Sequence, residues 1–152
     1  MPKERFKITP ASYLVLMKDN KVLLIRRFNT GYEDGNYSMV AGHLDGQETF
    51  IQAIIREAKE EADIDLDEKD LEVAHIMHRY SNSGDIGTRE RIDVFIVAKK
   101  WAGEPKNMEP NKCDDLNWFP FDQLPDNTIP YIKFALDSIK NKVFYSEYGF
   151  GK

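Results

Sequence analysis

The sequence predicts an α/β fold in which a mixed β-sheet is packed between helices. Three observations carry that expectation. Strand-sized runs alternate with two helix-like stretches, an order that packs as layers around a shared core. The stretch from about Glu48 to Ala62 has an apolar stripe at helical spacing. The run Val94 to Ala98 is apolar throughout, which suits a strand covered on both faces.

In chain order, Ile8 to Met17 reads as the first strand, and Lys18 to Lys21 as a turn. With Val22 to Arg27 these make a hairpin. Asn29 to Asn36 is rich in Gly, Asn and Asp, which is loop chemistry. A short strand, Tyr37 to Val40, leads into Gly42. In the helix that follows, Ile51, Ile54, Ile55, Ala58 and Ala62 form one stripe, and Asp45 and Glu48 have capping-box spacing at its start. Leu71 to Tyr80 and Arg91 to Lys99 read as strands joined through Ser81 to Asp85. Trp101 to Asp115 is an irregular crossing broken by Gly103, Pro105 and Pro110, and Leu116 to Phe119 is a short strand. The last helix starts near Pro130, which is favourable at a first helical position, with Ile132, Leu136, Ile139 and Val143 on its apolar face. The aromatic tail of Phe144, Tyr145, Tyr148 and Phe150 reads as docking on the domain, with a homodimer contact as the alternative.

A chain of 152 residues without a visible linker or repeat is expected to be a single domain over 1–152. Its 41% hydrophobic and 31% charged residues exclude disordered and collagen-like classes. The longest apolar runs fall far short of the ~20 residues that a membrane span needs. Met1 to Pro10 lacks the apolar segment of a secretory signal. The lone Cys113 excludes an intrachain disulfide, so a cytoplasmic setting without a membrane role is expected. With 21 basic against 26 acidic residues, a net charge of −5 lacks the footprint of a nucleic-acid binder. It suits a protein that gathers divalent cations.

Glu57, Glu60 and Glu61 lie at i, i+3 and i+4 of the central helix, within roughly a 100° arc, so three carboxylates project together. A solvated acidic face is the bland reading. Against it, Glu57 and Glu61 are like charges four apart, costing about 0.2–0.5 kcal/mol. They also crowd the end of the helix where its dipole disfavours negative charge. A bound cation explains such a cluster better.

Gly42, five residues, Glu48, seven residues, then Arg56-Glu57-Ala58-Lys59-Glu60-Glu61-Ala62-Asp63-Ile64 closely resembles the signature box of the Nudix hydrolases. The resemblance implies the Nudix fold, a mixed sheet between helices in α/β/α layers. It implies Mg2+, with Mn2+ as a substitute, held by Glu57, Glu60 and Glu61. Arg56 matches the arginine that orients those glutamates through a salt bridge. Glu48 matches the glutamate that supports the loop–helix–loop, and Gly42 the glycine where strand turns into loop and backbone comes close to phosphate or metal. Asp63 departs from the family's usual glycine, and reads as a workable left-handed helix cap. Ala41 stands where many members carry glycine or proline, and His43 reads as a solvent-facing loop residue rather than a ligand.

The implied chemistry is attack of water on an internal phosphorus of a nucleoside diphosphate linked to another moiety. Glu60 is the first candidate to accept the proton, and Glu109 the alternative. Trp118 to Pro125, with Glu109 to Cys113 before it, resembles the MutT-like branch that cleaves nucleoside triphosphates to monophosphate and pyrophosphate. Tyr80 sits where hydrolases of dinucleoside polyphosphates tend to carry a tyrosine, so that class stays open, with nucleotide sugars and ADP-ribose beside it. A non-catalytic nucleotide sensor is the reading from another class. Arg26 and Arg27 alternate across a strand, so one of the two is a candidate to contact phosphate oxygens, with two solvated strand-end arginines as the alternative. Tyr131 is a candidate to stack on a base, or a core residue at a helix start. His75 and His78 face opposite sides of a strand and make no metal pair.

Overall fold

A computed structural model describes residues 3–82, 87 and 89–151. The strands are β1 (Thr9–Lys18), β2 (Lys21–Arg27), β3 (Tyr37–Ser38), β4 (Ala41–His43), β5 (Leu71–Tyr80), β6 (Glu90–Ala98), β7 (Cys113–Pro120) and β8 (Tyr145–Tyr148). Two α-helices, α1 (Phe50–Ala62) and α2 (Pro130–Lys140), and a 3-10 turn at Glu68–Asp70 complete the order.

Among the described residues the strands form one mixed sheet, β3-β2-β1-β6-β5-β8, with β4 also on β1 and β7 also on β2. β1 and β6 run parallel, as do β5 and β8, and the other pairs are antiparallel. β1 serves two partners along its length, β4 at Ala11–Tyr13 and β2 at Met17–Lys18. β2 and β4 therefore diverge, and the candidate site sits where they part.

Side-chain alternation splits the core into two layers. Leu14 and Leu16 of β1, Leu23 and Ile25 of β2, and Val94 and Ile96 of β6 pack with Ile54, Ala58 and Ala62 of α1. Tyr13 and Val15, Val22 and Leu24, and Phe95 and Val97 face the other way, onto Ile132, Ala135 and Leu136 of α2. The alanines on α1 bring its backbone close to the sheet, which carries the glutamates of its other face to the site. The expected mixed sheet between helices is what the chain builds.

Several boundaries differ from expectation. The capping box of α1 is Thr49–Gln52, not Asp45–Glu48: the Thr49 hydroxyl accepts from Gln52 N–H at 3.0 Å, and Gln52 reaches back to Thr49 N–H at 2.9 Å. Glu48 lies before the helix and accepts from Asp45 N–H at 2.8 Å. The strand expected over Tyr37–Val40 ends at Ser38, and β7 begins at Cys113, inside the expected crossing. Val143 lies beyond α2 and is 46% exposed, so it is not on that helix's buried face. The aromatic tail docks as strand β8, which adds to β5 in parallel. His75 anchors it, with its ring nitrogens 2.7 Å from Val143 O and 2.7 Å from Ser146 Oγ. The turn expected through Ser83–Asp85 lies outside the described residues. No described helix is long and apolar enough to cross a membrane.

Among the described residues, the α2-side layer holds one buried ion pair. Arg79 Nε donates to Asp93 Oδ2 at 2.6 Å, and its guanidinium lies 3.7 Å from the centre of the Tyr131 ring. The Tyr131 and Tyr13 hydroxyls meet at 3.0 Å.

Candidate active site

Helix α1 projects the acidic cluster from its C-terminal half, and Arg56 organises it. The Arg56 guanidinium lies 2.8 Å from Glu48 Oε1, 2.7 Å from Glu57 Oε1 and 3.5 Å from Glu60 Oε2. It also donates to the His43 carbonyl at 3.4 Å. One planar fork thus ties the loop before the helix to two glutamates of the helix face. Glu48 hydrogen-bonding holds the guanidinium proton more tightly still, and Arg56 in turn keeps Glu48 below the usual carboxylate range.

Gly42 is required by proximity rather than by backbone conformation. A Cβ built there would lie 2.2 Å from Glu57 Oε1 and 2.3 Å from Glu57 Cδ. The strand backbone and the glutamate therefore share a space that only glycine leaves free. Next to it, Ala41 N–H donates to Glu61 Oε1 at 3.3 Å.

Glu57, Glu60 and Glu61 line one cavity of about 510 Å3. Glu109, from the segment between β6 and β7, lines it too, as do Arg27 and Lys112. The site therefore combines four carboxylates with two cationic side chains, one at the end of β2 and one just before β7. Ile25, Asn29, Thr30, Asn107 and Cys113 complete much of the remaining lining. Nothing in the local sequence pattern marks Asn107, and Lys112 stands out only as part of the Glu109 to Cys113 resemblance. An irregular segment brings them in.

Burial, then the charge of Glu57, pushes the Glu61 carboxyl up to about 9, with Glu109 adding to the rise. Burial also raises Glu57, although Arg56 pulls it down. Two carboxyls held together away from water need a proton or a cation between them. Among the described residues, no three such side chains converge on one point as they stand, with Glu57 and Glu60 lying 2.7 and 3.5 Å from Arg56. The donor set is hard carboxylate oxygen, the kind that Mg2+ takes. By charge and chemistry the residues fit a divalent cation.

Other candidates fall elsewhere. Arg26 pairs with Asp114 at 2.7 Å and lies over the Tyr37 ring, away from the cavity that Arg27 lines. Arg27 is held by Nε to the Tyr32 carbonyl at 2.6 Å. Tyr80 packs near Phe150 and is not among the cavity's lining residues. Tyr131 takes the core alternative, 7% exposed between Tyr13 and Arg79, and presents no free ring face to solvent. His43 Nε2 meets Arg91 Nη2 at 2.6 Å, and burial lowers its pKa.

A family model described as NUDIX domain matches residues 7–138. Among curated proteins, the chain is 30% identical over 137 residues to the NAD-capped RNA hydrolase NudC of Vibrio atlanticus, covering 90% of this chain and 46% of that protein. It is 27% identical over 125 residues to the protein of the same name from Pectobacterium carotovorum, covering 81% of this chain and 44% of that one. The chain spans about half the length of the curated relatives it matches. Among solved structures it is similar to a MutT NUDIX hydrolase from Burkholderia pseudomallei, with a TM-score of 0.77 and 24% identity over 86% of this chain and 97% of that one. A NUDIX hydrolase from Nitrosomonas europaea gives a TM-score of 0.75 and 20% identity over 91% and 93%. These two likenesses are of fold.

Proposed function

The chain belongs to the NUDIX family of hydrolases, and on that premise we propose that it cleaves a nucleoside triphosphate to nucleoside monophosphate and pyrophosphate, with Mg2+ as cofactor and Mn2+ as its substitute. The observation that carries the reading is the single cavity lined by Glu57, Glu60, Glu61 and Glu109 together with Arg27 and Lys112.

Glu57, Glu60 and Glu61 would hold the cation, which when bound offsets charge on the diphosphate oxygens and acidifies a water. Arg56 keeps Glu57 and Glu60 in place and does not itself reach substrate. Arg27 and Lys112 supply charge-assisted hydrogen bonds to phosphate oxygens. Glu60 or Glu109 accepts the proton of the attacking water, both being carboxylates on the cavity wall. Ala41 lines the same wall, and Gly42 beside it leaves the space that the Glu57 side chain occupies.

A second reading has its own support. The relatives named NAD-capped RNA hydrolase match most of this chain, which favours a dinucleotide with an internal diphosphate, such as NAD, as substrate. The two readings separate by product. With Mg2+ present, each (d)NTP, NAD, NADH, ADP-ribose, nucleotide sugars and dinucleoside polyphosphates are incubated with the chain. Pyrophosphate from one (d)NTP at high kcat/KM supports the first reading. Nucleoside monophosphates from NAD without pyrophosphate replace it with the second. No product from any of them, together with thermal stabilisation by a nucleotide, makes the chain a sensor.

A further inference from the structure

Helix α1 ends where a glycine would be the usual choice, on Asp63 in the left-handed conformation (φ 54°, ψ 40°). Its carboxylate is not idle. Oδ1 lies 3.1 Å from Lys59 Nζ and Oδ2 lies 3.3 Å from Lys106 Nζ. Lys106 belongs to the segment that carries Glu109.

That segment closes on the end of the helix through backbone as well. Lys106 N–H donates to Ala62 O at 3.0 Å, and Met108 N–H donates to Glu61 O at 3.2 Å. These are carbonyls that a helix end leaves without a partner. Asp65 and Ala102 exchange hydrogen bonds of 2.9 and 3.0 Å just beyond. Gly103, at φ +96°, passes so close that a Cβ there would lie 3.2 Å from Asp63 O. Glu109 is then set by its own N–H on Asn107 Oδ1 at 3.0 Å. From Asp63 to Glu109 the chain is one continuous set of contacts, and it ends in the cavity beside Glu61.

We propose that Asp63 is a positioning residue for Glu109: by holding Lys106 it keeps residues 101–112 seated on the end of α1, with Glu109 turned into the cavity. The inference rests on the hydrolase reading for its effect on turnover, but not for the tether itself. It also gives Asp63 a use that glycine cannot have. Glycine would relax the left-handed turn and lose the grip on Lys106.

The variants are Asp63→Gly, Asp63→Asn and Lys106→Met, compared with wild type by amide hydrogen exchange and by steady-state kinetics. Glycine is at ease in this turn, so Asp63→Gly should fold with an unchanged or higher Tm. Asparagine tolerates the same backbone and removes only the charge. The amides of Lys106 and Met108 should exchange about threefold faster in all three variants, the scale expected of exposed ion pairs. On the best substrate, kcat should fall about fivefold while KM stays near wild type, and Asp63→Gly should cause no further fall in a Glu109→Gln background.

Wild-type exchange at Lys106 and Met108 in Asp63→Gly would overturn the tether. Faster exchange with wild-type kcat would overturn the positioning role while leaving the hydrolase reading intact. A wild-type chain without turnover on any nucleotide would instead remove the hydrolase reading, and the exchange rates would still decide the tether.

Discussion

Glu57 occupies the space that any side chain at position 42 would need: a Cβ on Gly42 would lie 2.2 Å from Glu57 Oε1. The atoms in the way run from the carboxyl of Glu57 back to its Cγ, all on a flexible side chain, so Gly42→Ala should swing that side chain aside rather than unfold the strand. The expected outcome is a fall in kcat of about tenfold or more with a Tm within about 2 °C of wild type. Paired kinetic and thermal measurements check this, and a large Tm loss would show that strand β4 yields before Glu57 does.

Arg56 is the second point at which geometry makes a sharp claim. Its fork meets Glu48 at 2.8 Å and Glu57 at 2.7 Å, carboxylates that are only 15% and 13% exposed. Arg56→Met leaves both without their cationic partner, so stability should drop by about 1–3 kcal/mol, and kcat/KM by about a hundredfold. Arg56→Lys should recover little, because an ammonium cannot span both carboxylates as the guanidinium does. Chemical denaturation alongside kinetics tests the pair, and full rescue by lysine would reduce Arg56 to a point charge.

The parts of this arrangement that are local in sequence were legible in it. Helical spacing alone put Glu57, Glu60 and Glu61 on one face, and strand alternation alone put Arg26 and Arg27 on opposite sides. The box resemblance singled out Gly42, although only the folded chain shows Glu57 to be what excludes a side chain there. Long-range features were not legible. Strand β8 is too short and polar to register as a period-two strand, and it is held in place by β5 and by the buried His75. Lys112 reaches the cavity through an irregular segment that no periodicity describes. The Arg79–Asp93 pair links two strands through side chains that the sequence shows only as isolated charges.

The crowding of Glu57 and Glu61 gives a third prediction. With both carboxyls ionised, burial and mutual repulsion oppose the fold, and a divalent cation relieves them. Saturating Mg2+ should therefore raise Tm by several degrees, reversibly on chelation. Glu61→Gln keeps the oxygen that accepts from Ala41 N–H and removes the repulsion. It should raise the Tm of the metal-free chain, nearly abolish the Mg2+ shift, and lower kcat by about a hundredfold. An undiminished Mg2+ shift in this variant would take Glu61 out of the cation site.

A last prediction concerns the buried pair in the layer that faces α2. Arg79 and Asp93 are 2% and 0% exposed, and Asp93 Oδ1 has no hydrogen-bond partner among the described residues. Arg79→Met would leave a carboxylate buried alone, a loss of about 3–5 kcal/mol at about pH 7. Burial already raises the folded-state pKa of Asp93 above its ordinary value, with Arg79 the main opposing influence. Without that influence the folded-state pKa rises further. The group then contributes most to stability when protonated, below its unfolded value of about 3.9, and the contribution is lost as pH rises through the folded-state value. The deficit of Arg79→Met relative to wild type should accordingly be large at about pH 7 and shrink as pH falls toward about 4. Urea titrations across that range read it directly, and the double variant Arg79→Met, Asp93→Leu should show a smaller deficit that no longer depends on pH. A deficit in Arg79→Met that stays constant with pH would mean that the lost packing of arginine on Tyr131, not the stranded charge of Asp93, governs the stability of this layer.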